Sequence, residues 1–388
     1  MTPPDRPPLR VLVVVLALFL APAGLARADG PSLGDLAATL NIDPGGISVS
    51  GISSGAYMAQ KFHVIHARHV IGAGLLAGGP YNCAGGDYYL SLFYPGNLYA
   101  ALHVCSDTSL QGIFTGPPDV ARSLASTRRE AAAGTIDDPT NLKTDKVWLF
   151  SGGNDETIPG AVVDSVKDYY ETFLDADAIA LVRNAEAGHA MITEDFGNAC
   201  DAEGEPYIND CDFDAAEALL GHIYGPAALE PMAGRDDLRP VTAFDQTQFF
   251  DKTDASTSLH ARGYVYVPER CESGGRCRLH VAFHGCRQDQ DAIGDGFYGH
   301  AGYNAGRRNQ RHRRPLSADE GLVRKRLHRL REKSAGLVGL QRRRFPPPLR
   351  QAGAGRRRND QCVGWRGIAG FGVSGRPSFT EEKTSTPV

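Results

Sequence analysis

The sequence predicts an α/β fold built on a mostly parallel sheet. Three observations carry that expectation. Apolar runs of strand length recur, among them Val70-Ile71-Gly72-Ala73-Gly74-Leu75-Leu76 and Val147-Trp148-Leu149-Phe150, and strands buried on both faces read this way. Helical stretches and glycine-bearing loops alternate with those runs, in the order of a parallel sheet. Third, the stretch Ile47 to Lys61 passes from alternating apolar and small polar residues, through Gly51-Ile52-Ser53-Ser54-Gly55, into good helix formers. That is strand, tight turn and helix in succession.

Gly30 to Asn41 is expected to form a short lead-in helix. Ile47-Ser48-Val49-Ser50 is the first strand, and Gly51 to Gly55 matches G-x-S-x-G. At such an elbow a Cβ on either glycine would collide with the neighbouring strand or helix. Ser53 is left at the tip, above a helix N-terminus that favours negative charge. His63, His66 and His69 follow at helical spacing and read as a solvated face. Val70 to Pro80 is a buried strand ending in a glycine turn, and Tyr81 to Cys105 a stapled surface excursion. Val120 to Ala133 suits a helix. Lys146 to Gly152 is a strong strand, with Gly153 to Pro159 the loop leaving its carboxyl end. Val162 to Leu174 has helical periodicity, with Val163, Val166, Tyr170 and Phe173 near one face. Ile179-Ala180-Leu181-Val182 is the next strand, Ala187 to Met191 the loop beyond it, and Ala215 to Tyr224 a helix. Ala228 to Thr257 is irregular and reads as a connection. Gly263 to Pro268 and Leu279 to Cys286 are strands, and Glu269 to Arg278 is expected to join them as a hairpin.

The 388 residues suffice for one large domain or two small ones. Arg6 and Arg10 precede the apolar run Val11 to Leu20, and Ala26-Arg27-Ala28 is a small-x-small cleavage site. Residues 1–28 therefore read as a secretory signal, with a mature chain from Asp29 and an extracellular or periplasmic destination. The apolar run is too short to span a bilayer comfortably, so no stable membrane anchor is expected. Eight cysteines then fit disulfides of an oxidising compartment. Near pairs are Cys83 with Cys105, Cys200 with Cys211 and Cys271 with Cys277, leaving Cys286 and Cys362; the sequence leaves the connectivity open. No C-x-x-C or His/Cys spacing points to zinc.

The formal net charge of −4 hides a division. From Gly306 onward the chain carries 18 Arg and 3 Lys against 6 acids, a net of +15 that leaves −19 for the rest. A basic arm can signal nucleic acid, but a secreted destination argues against it, and no nucleic-acid partner is expected.

Ser53, Asp155 and His189 occur in that order, the last two in loops after expected strands. In an open α/β sheet such loops gather at the carboxyl edge. Serine is a poor nucleophile unless a neutral imidazole takes its proton, and a buried carboxylate holds that imidazole in the right tautomer. Ser-Asp-His is also the chain order of the α/β-hydrolase triad. His63, His66, His69, His222 and His284 compete for the base role, and the glycine before His189 favours that loop. Ester hydrolysis further needs two N–H donors for the oxyanion. One would come from Ser54. The other usually lies in a His-Gly turn after an earlier strand, and here such a turn, His284-Gly285-Cys286, lies far C-terminal. The expected fold is therefore α/β-hydrolase-like and circularly permuted.

Four stretches carry a resemblance to a known family: Gly51-Ile52-Ser53-Ser54-Gly55-Ala56-Tyr57-Met58-Ala59, Ser151-Gly152-Gly153-Asn154-Asp155, Ala187-Gly188-His189 and His284-Gly285-Cys286. Spread over most of residues 45–304, they resemble the secreted polyhydroxybutyrate depolymerases with a permuted α/β-hydrolase fold. The resemblance implies Ser53 as nucleophile, Asp155 as acid, His189 as base, and the amides of Ser54 and Cys286 as oxyanion hole. It implies hydrolysis of poly(3-hydroxybutyrate) or its oligomers through an acyl-enzyme, with a polyester substrate as partner and no metal or cofactor. A monomer is expected. An acetylxylan or feruloyl esterase is the alternative enzyme, and a degenerate, non-catalytic polyester-binding protein the alternative of another class.

After Asn304 that resemblance stops. A strand completing the sheet and a Trp-rich stretch are expected, but Arg307-Arg308-Asn309-Gln310-Arg311-His312-Arg313-Arg314 follows. Read one base later, the codons of Arg311 to Glu320 permit Ala-Ile-Val-Val-Leu-Ser-Pro-Gln-Thr-Lys, and those of Leu337 to Leu340 permit Trp-Trp-Asp-Tyr. The expected organisation is thus a signal over 1–28, a catalytic domain over 29–304, and an Arg-rich tail over 305–388 that is frameshifted and disordered. Lacking the strand, the chain as written is expected to fold poorly or be inactive although its triad is intact, with the strand ending at Phe283 left as an exposed edge.

Overall fold

The elbow strand lies inside the sheet, with neighbours from both ends of the core. In the computed structural model the described residues are 33–84, 105–106, 117–226, 240–247 and 260–304. The expected signal segment 1–28, most of the Tyr81 to Cys105 excursion, Cys362 and the tail 305–388 lie outside them. After a short helix α1 (Leu33–Thr39) comes β1 (Ile42–Ile52), then α2 (Ser54–Ile65), β2 (Val70–Leu76) and α3 (Val120–Ala132). β3 (Lys146–Gly152), α4 (Gly160–Tyr170) and β4 (Ile179–Asn184) follow. The short strands β5 (Met191–Thr193), β6 (Asn198–Ala199) and β7 (Ile208–Asp210) precede α5 (Ala215–Tyr224). β8 (Thr242–Asp245), β9 (Arg262–Val265), α6 (Glu269–Glu272), β10 (Cys277–Phe283), α7 (Gln290–Ile293) and α8 (Gly296–His300) complete the order.

The central sheet has the order β10-β1-β2-β3-β4, and every pairing in it is parallel. Position in the sheet explains the apolar runs. Ser48 to Ile52 of β1 are all buried, as are Val147 to Gly152 of β3. The outer strands β4 and β10 are mostly half-buried. Helix α2 buries Gly55, Ala56, Ala59, Gln60, His63 and Val64, pairs spaced four apart that form one stripe. On α4 the buried set includes Val163, Val166, Tyr169 and Tyr170. Caps fix the ends. Asp214 accepts from the Glu217 N–H at 2.8 Å to start α5, and Gly225 at φ 84° closes it. The α/β class and the mostly parallel sheet are as the sequence predicts.

Three expectations are corrected. The first is the hairpin over residues 263–286. β9 pairs antiparallel with β8, and β10 runs parallel to β1. Pro268 explains the break, since it offers no N–H to a ladder and instead precedes α6, which the Cys271–Cys277 disulfide closes onto β10. Second, the connection 228–257 contains the strand β8, and its remaining residues 228–239 and 248–257 lie outside the described set. Third, His63 is not on a solvated face. It is fully buried and bonds Asp145 Oδ2 and the Tyr170 hydroxyl, both at 2.9 Å. Two partners from other elements satisfy both ring nitrogens, which makes burial tolerable. His66 and His69 are exposed.

The disulfides Cys83–Cys105, Cys200–Cys211 and Cys271–Cys277 form. β5, β7 and β6 make a small parallel sheet that the sequence does not announce. Among the described residues no helix is long and apolar enough to cross a membrane.

Candidate active site

Because all five central strands run the same way, the segments after β1, β3, β4 and β10 emerge at one edge. They carry Ser53, Asp155, His189 and His284-Gly285-Cys286 respectively. Register binds two of these segments together: Gly51 pairs with Phe283, so the strands bearing Ser53 and His284 end side by side.

Ser53 has φ 55° and ψ −124°, a left-handed position that costs a non-glycine residue strain. The turn is held from both sides. The Ser53 N–H donates to Leu76 O at 2.9 Å, and Ser53 O accepts from the N–H of Ala56 (2.9 Å) and of Tyr57 (3.1 Å). Its hydroxyl makes no capping bond to the helix. The flanking glycines are there by close approach. A Cβ on Gly51 would lie 2.3 Å from Gly55 backbone, and one on Gly55 would lie 2.1 Å from Phe283 O. Ser54 opens α2, where first-turn N–H groups lack intrahelical partners. One turn on, the Tyr57 hydroxyl donates to Cys105 O. Burial, together with the Asp155 charge, holds that hydroxyl well above the usual tyrosine range, so it stays a donor.

Asp155 and His189 meet. His189 Nδ1–H donates to Asp155 Oδ2 at 2.9 Å, with the two side chains 8% and 1% exposed. Asp155 Oδ1 accepts from the amides of Thr157 (2.9 Å) and Ile158 (2.7 Å). The residue is thus both a turn aspartate and the imidazole's partner. In a neutral ring, a proton fixed on Nδ1 leaves the lone pair on Nε2, the state a general base needs. The His189 loop is anchored by Gly188 N–H to Cys200 O (2.8 Å) and Met191 N–H to Tyr207 O (2.8 Å). Among the described residues the Ser53 hydroxyl makes no hydrogen bond to His189; resting hydrolases often tighten that contact only with substrate bound.

Topology separates this pair from its rival. Asp145 immediately precedes β3, so the His63–Asp145 pair sits at the amino edge of the sheet, away from Ser53. Burial raises the Asp145 carboxyl above the carboxylate range, and the His63 hydrogen bond opposes that. Of the other histidines, His222 donates to Ala178 O (2.9 Å) and His284 Nδ1–H to Gly285 O (2.8 Å).

The His284-Gly285-Cys286 turn lies against the elbow. A Cβ on Gly285 would be 3.2 Å from Ile52 O and 3.4 Å from Ser53 Cβ. Cys286 is half-buried beside it. Sequence reasoning missed Gln288, which lies in the polar run Arg287-Gln288-Asp289-Gln290. It is 2% exposed, and its Oε1 accepts the Gly285 N–H at 2.7 Å. Its spacing, three residues after the turn glycine, is the one signal available.

No family model matches the chain. Over 268 residues it is 36% identical to a poly(3-hydroxybutyrate) depolymerase of Delftia acidovorans, a match covering 68% of this chain and 50% of that protein. It thus spans half the length of that relative. Over 269 residues it is 32% identical to a polyhydroxybutyrate depolymerase of Talaromyces funiculosus, covering 68% of this chain and 71% of the relative. The crystal structure of a PHB depolymerase from Penicillium funiculosum superimposes with a TM-score of 0.58 at 30% identity, over 69% of this chain and 77% of that one. A serine-to-alanine PHB depolymerase complexed with an R3HB trimer gives 0.57 at 30% identity, with the same coverage.

Proposed function

The chain belongs to the polyhydroxybutyrate depolymerase family, and from that premise we propose that it is an exported serine esterase cleaving poly(3-hydroxybutyrate) or its oligomers. Ser53 Oγ attacks the ester carbonyl while His189 Nε2 takes its proton. Asp155 holds the imidazole and stabilises the imidazolium. The tetrahedral oxyanion is received by the N–H groups of Ser54 and Cys286. Collapse expels the hydroxyl end of the leaving chain, which takes the proton from His189, and leaves an acyl-enzyme on Ser53. Water, deprotonated by the same ring, then releases the acid and restores the serine.

The observation that carries this reading is the 2.9 Å His189–Asp155 pair at the sheet edge where Ser53 sits in a strained elbow. The trimer complex of a relative supports the substrate class. The three disulfides support export. The parallel pairing of β10, the last long described strand, with β1 supports a permuted chain order.

The test compares the chain and its Ser53→Ala variant on 3-hydroxybutyrate trimer, a soluble aryl ester, a feruloylated sugar and polymer granules. The same set is run with the alternative frame after Asn304. Ser53-dependent release of 3-hydroxybutyrate is expected from whichever of the two frames folds, with a fall of about 10³-fold or more in its Ser53→Ala variant. Equal rates in parent and variant, or preference for the sugar ester, would overturn the reading.

A further inference from the structure

Gly285 is gripped through both of its peptide groups. Its N–H donates to Gln288 Oε1 at 2.7 Å, and its carbonyl accepts from His284 Nδ1–H at 2.8 Å. The second peptide group is the one that bears the Cys286 N–H. A trans peptide is planar, so fixing the Gly285 carbonyl also fixes the opposite direction of that N–H. Gln288 cannot turn its amide over. Its Nε2 donates to Tyr207 O at 2.8 Å and Pro206 O at 3.2 Å, so Oε1 alone can face the Gly285 N–H. A flipped amide would set its NH2 group against an N–H and its oxygen against two carbonyls.

The carbonyl of Tyr207 is shared. It also accepts the Met191 N–H at 2.8 Å, two residues beyond His189. One oxygen, with its two lone pairs, thus joins the Gln288 side chain to the His189 loop. β10 and β4, the strands that lead into the two segments, lie at opposite ends of the sheet, and this oxygen bridges the segments. Around this junction Arg287 (φ 62°) and Tyr207 (φ 55°) are both held in the left-handed region. Arg287 bonds the Tyr207 hydroxyl at 3.2 Å and pairs with Glu205. Strain of this kind persists where surrounding contacts over-determine it.

We propose that Gln288 is a positioning residue that sets the His284-Gly285-Cys286 turn in register with the His189 loop, through the shared carbonyl of Tyr207. Its side chain bonds Gly285, Pro206 and Tyr207, and it acts through them rather than on the ester. The inference rests on the reading of Ser53, His189 and the Cys286 N–H given above.

The test uses the full chain with Gln288→Ala, Gln288→Glu and Ser53→Ala, a soluble aryl ester, and hydrogen exchange of the peptide spanning the turn. Gln288→Ala should lower kcat by about 100-fold, the scale of an ångström-level misplacement. KM should stay within about 2-fold, since ground-state binding is untouched, and the turn peptide alone should exchange faster. Gln288→Glu supplies the discriminating readout. When protonated, its carboxyl accepts from Gly285 and donates to Tyr207 O, as the amide does. When ionised, it sets a charge against two carbonyls. The charged or titratable groups around it are Arg287 and Glu205, paired with each other, the Tyr207 phenol, His284 on the same Gly285, Asp289 next along the chain and, across the junction, His189. Its kcat relative to the parent should therefore rise as pH falls and collapse as pH rises. A Gln288→Ala enzyme with parental kcat and unchanged exchange would overturn the inference. So would a kcat loss that comes with faster exchange throughout the sheet and no pH-dependent recovery in Gln288→Glu. If Ser53→Ala retains parental hydrolysis, the site reading itself fails; if it is dead while Gln288→Ala is normal, only the positioning role fails.

Discussion

Asp155 uses its two oxygens for different tasks, and its variants should separate them. Asparagine can keep the Oδ1 contacts to the Thr157 and Ile158 amides but turns an NH2 group toward His189 Nδ1. Asp155→Asn should leave the urea midpoint nearly unchanged while kcat falls about 10³–10⁴-fold, because the imidazole adopts the wrong tautomer. Parental kcat would exclude the acid role. His280 makes a different prediction. It is half-buried, with its ring held between the hydroxyls of Ser48 (2.6 Å) and Ser50 (2.8 Å) and stacked on Tyr303 at 5.2 Å. Burial pushes it down to about 3 from the usual 6.5. The unfolded chain therefore binds the extra proton first. Stability is full above about pH 6.5 and is lost as pH falls toward 3, at about 1.4 kcal/mol per pH unit from this group. His280→Gln should flatten the urea midpoint between pH 6 and pH 4 relative to the parent; superimposable profiles would refute the assignment. At this scale the elbow at Ser53 and the pairing of Asp155 with His189 were legible because the chemistry proposed for them demands particular residue types in particular loops. His63 was not, since its partners Asp145 and Tyr170 come from distant sequence and no local pattern reveals a satisfied interior histidine.

The elbow and the small sheet are the elements on which the geometry turns. Gly55 faces the Phe283 carbonyl so closely that Gly55→Ala must push β10 from α2. We expect a loss of about 1–3 kcal/mol and a kcat defect larger than that of an alanine elsewhere on α2, measured by urea titration alongside aryl-ester kinetics. In the small sheet, the Cys200 carbonyl holds the Gly188 N–H, and its disulfide to Cys211 closes β6 onto β7. Replacing both cysteines by serine should cost about 2–4 kcal/mol and lower kcat more than it changes KM, through the His189 loop; a pure stability loss would detach that loop from the disulfide. The long elements were readable from period and burial. β5, β6 and β7 were not, for two or three residues between polar turns carry no periodicity. The presumed hairpin failed for another reason: nearness along the chain suggested β9 as the partner of β10, whereas β10 finds β1 far upstream.

At the largest scale, the earliest and latest long strands among the described residues, β1 and β10, lie side by side. β10 is the outer strand among the described residues, and Leu279 on it is 37% exposed. If the apolar decapeptide readable one base later than Arg311 to Glu320 belongs to the natural product, restoring that frame should raise the melting temperature and the rate of trimer hydrolysis. Resequencing from the Gly294 codon gives the genetic half of the answer, and an unchanged melting curve would argue against the missing strand. The pairing of β1 with β10 also dictates a timetable. Ser50 and His280, in contact, are separated by 230 residues, so the contact is entropically late and slow to form. A nascent chain can make the Gly51–Gly55 turn locally, yet the turn proposed to supply the second oxyanion donor is absent until residue 286 has arrived and docked. On the proposed mechanism, hydrolytic competence is withheld from every unfinished chain and appears only when β10 and the turn after it have been delivered.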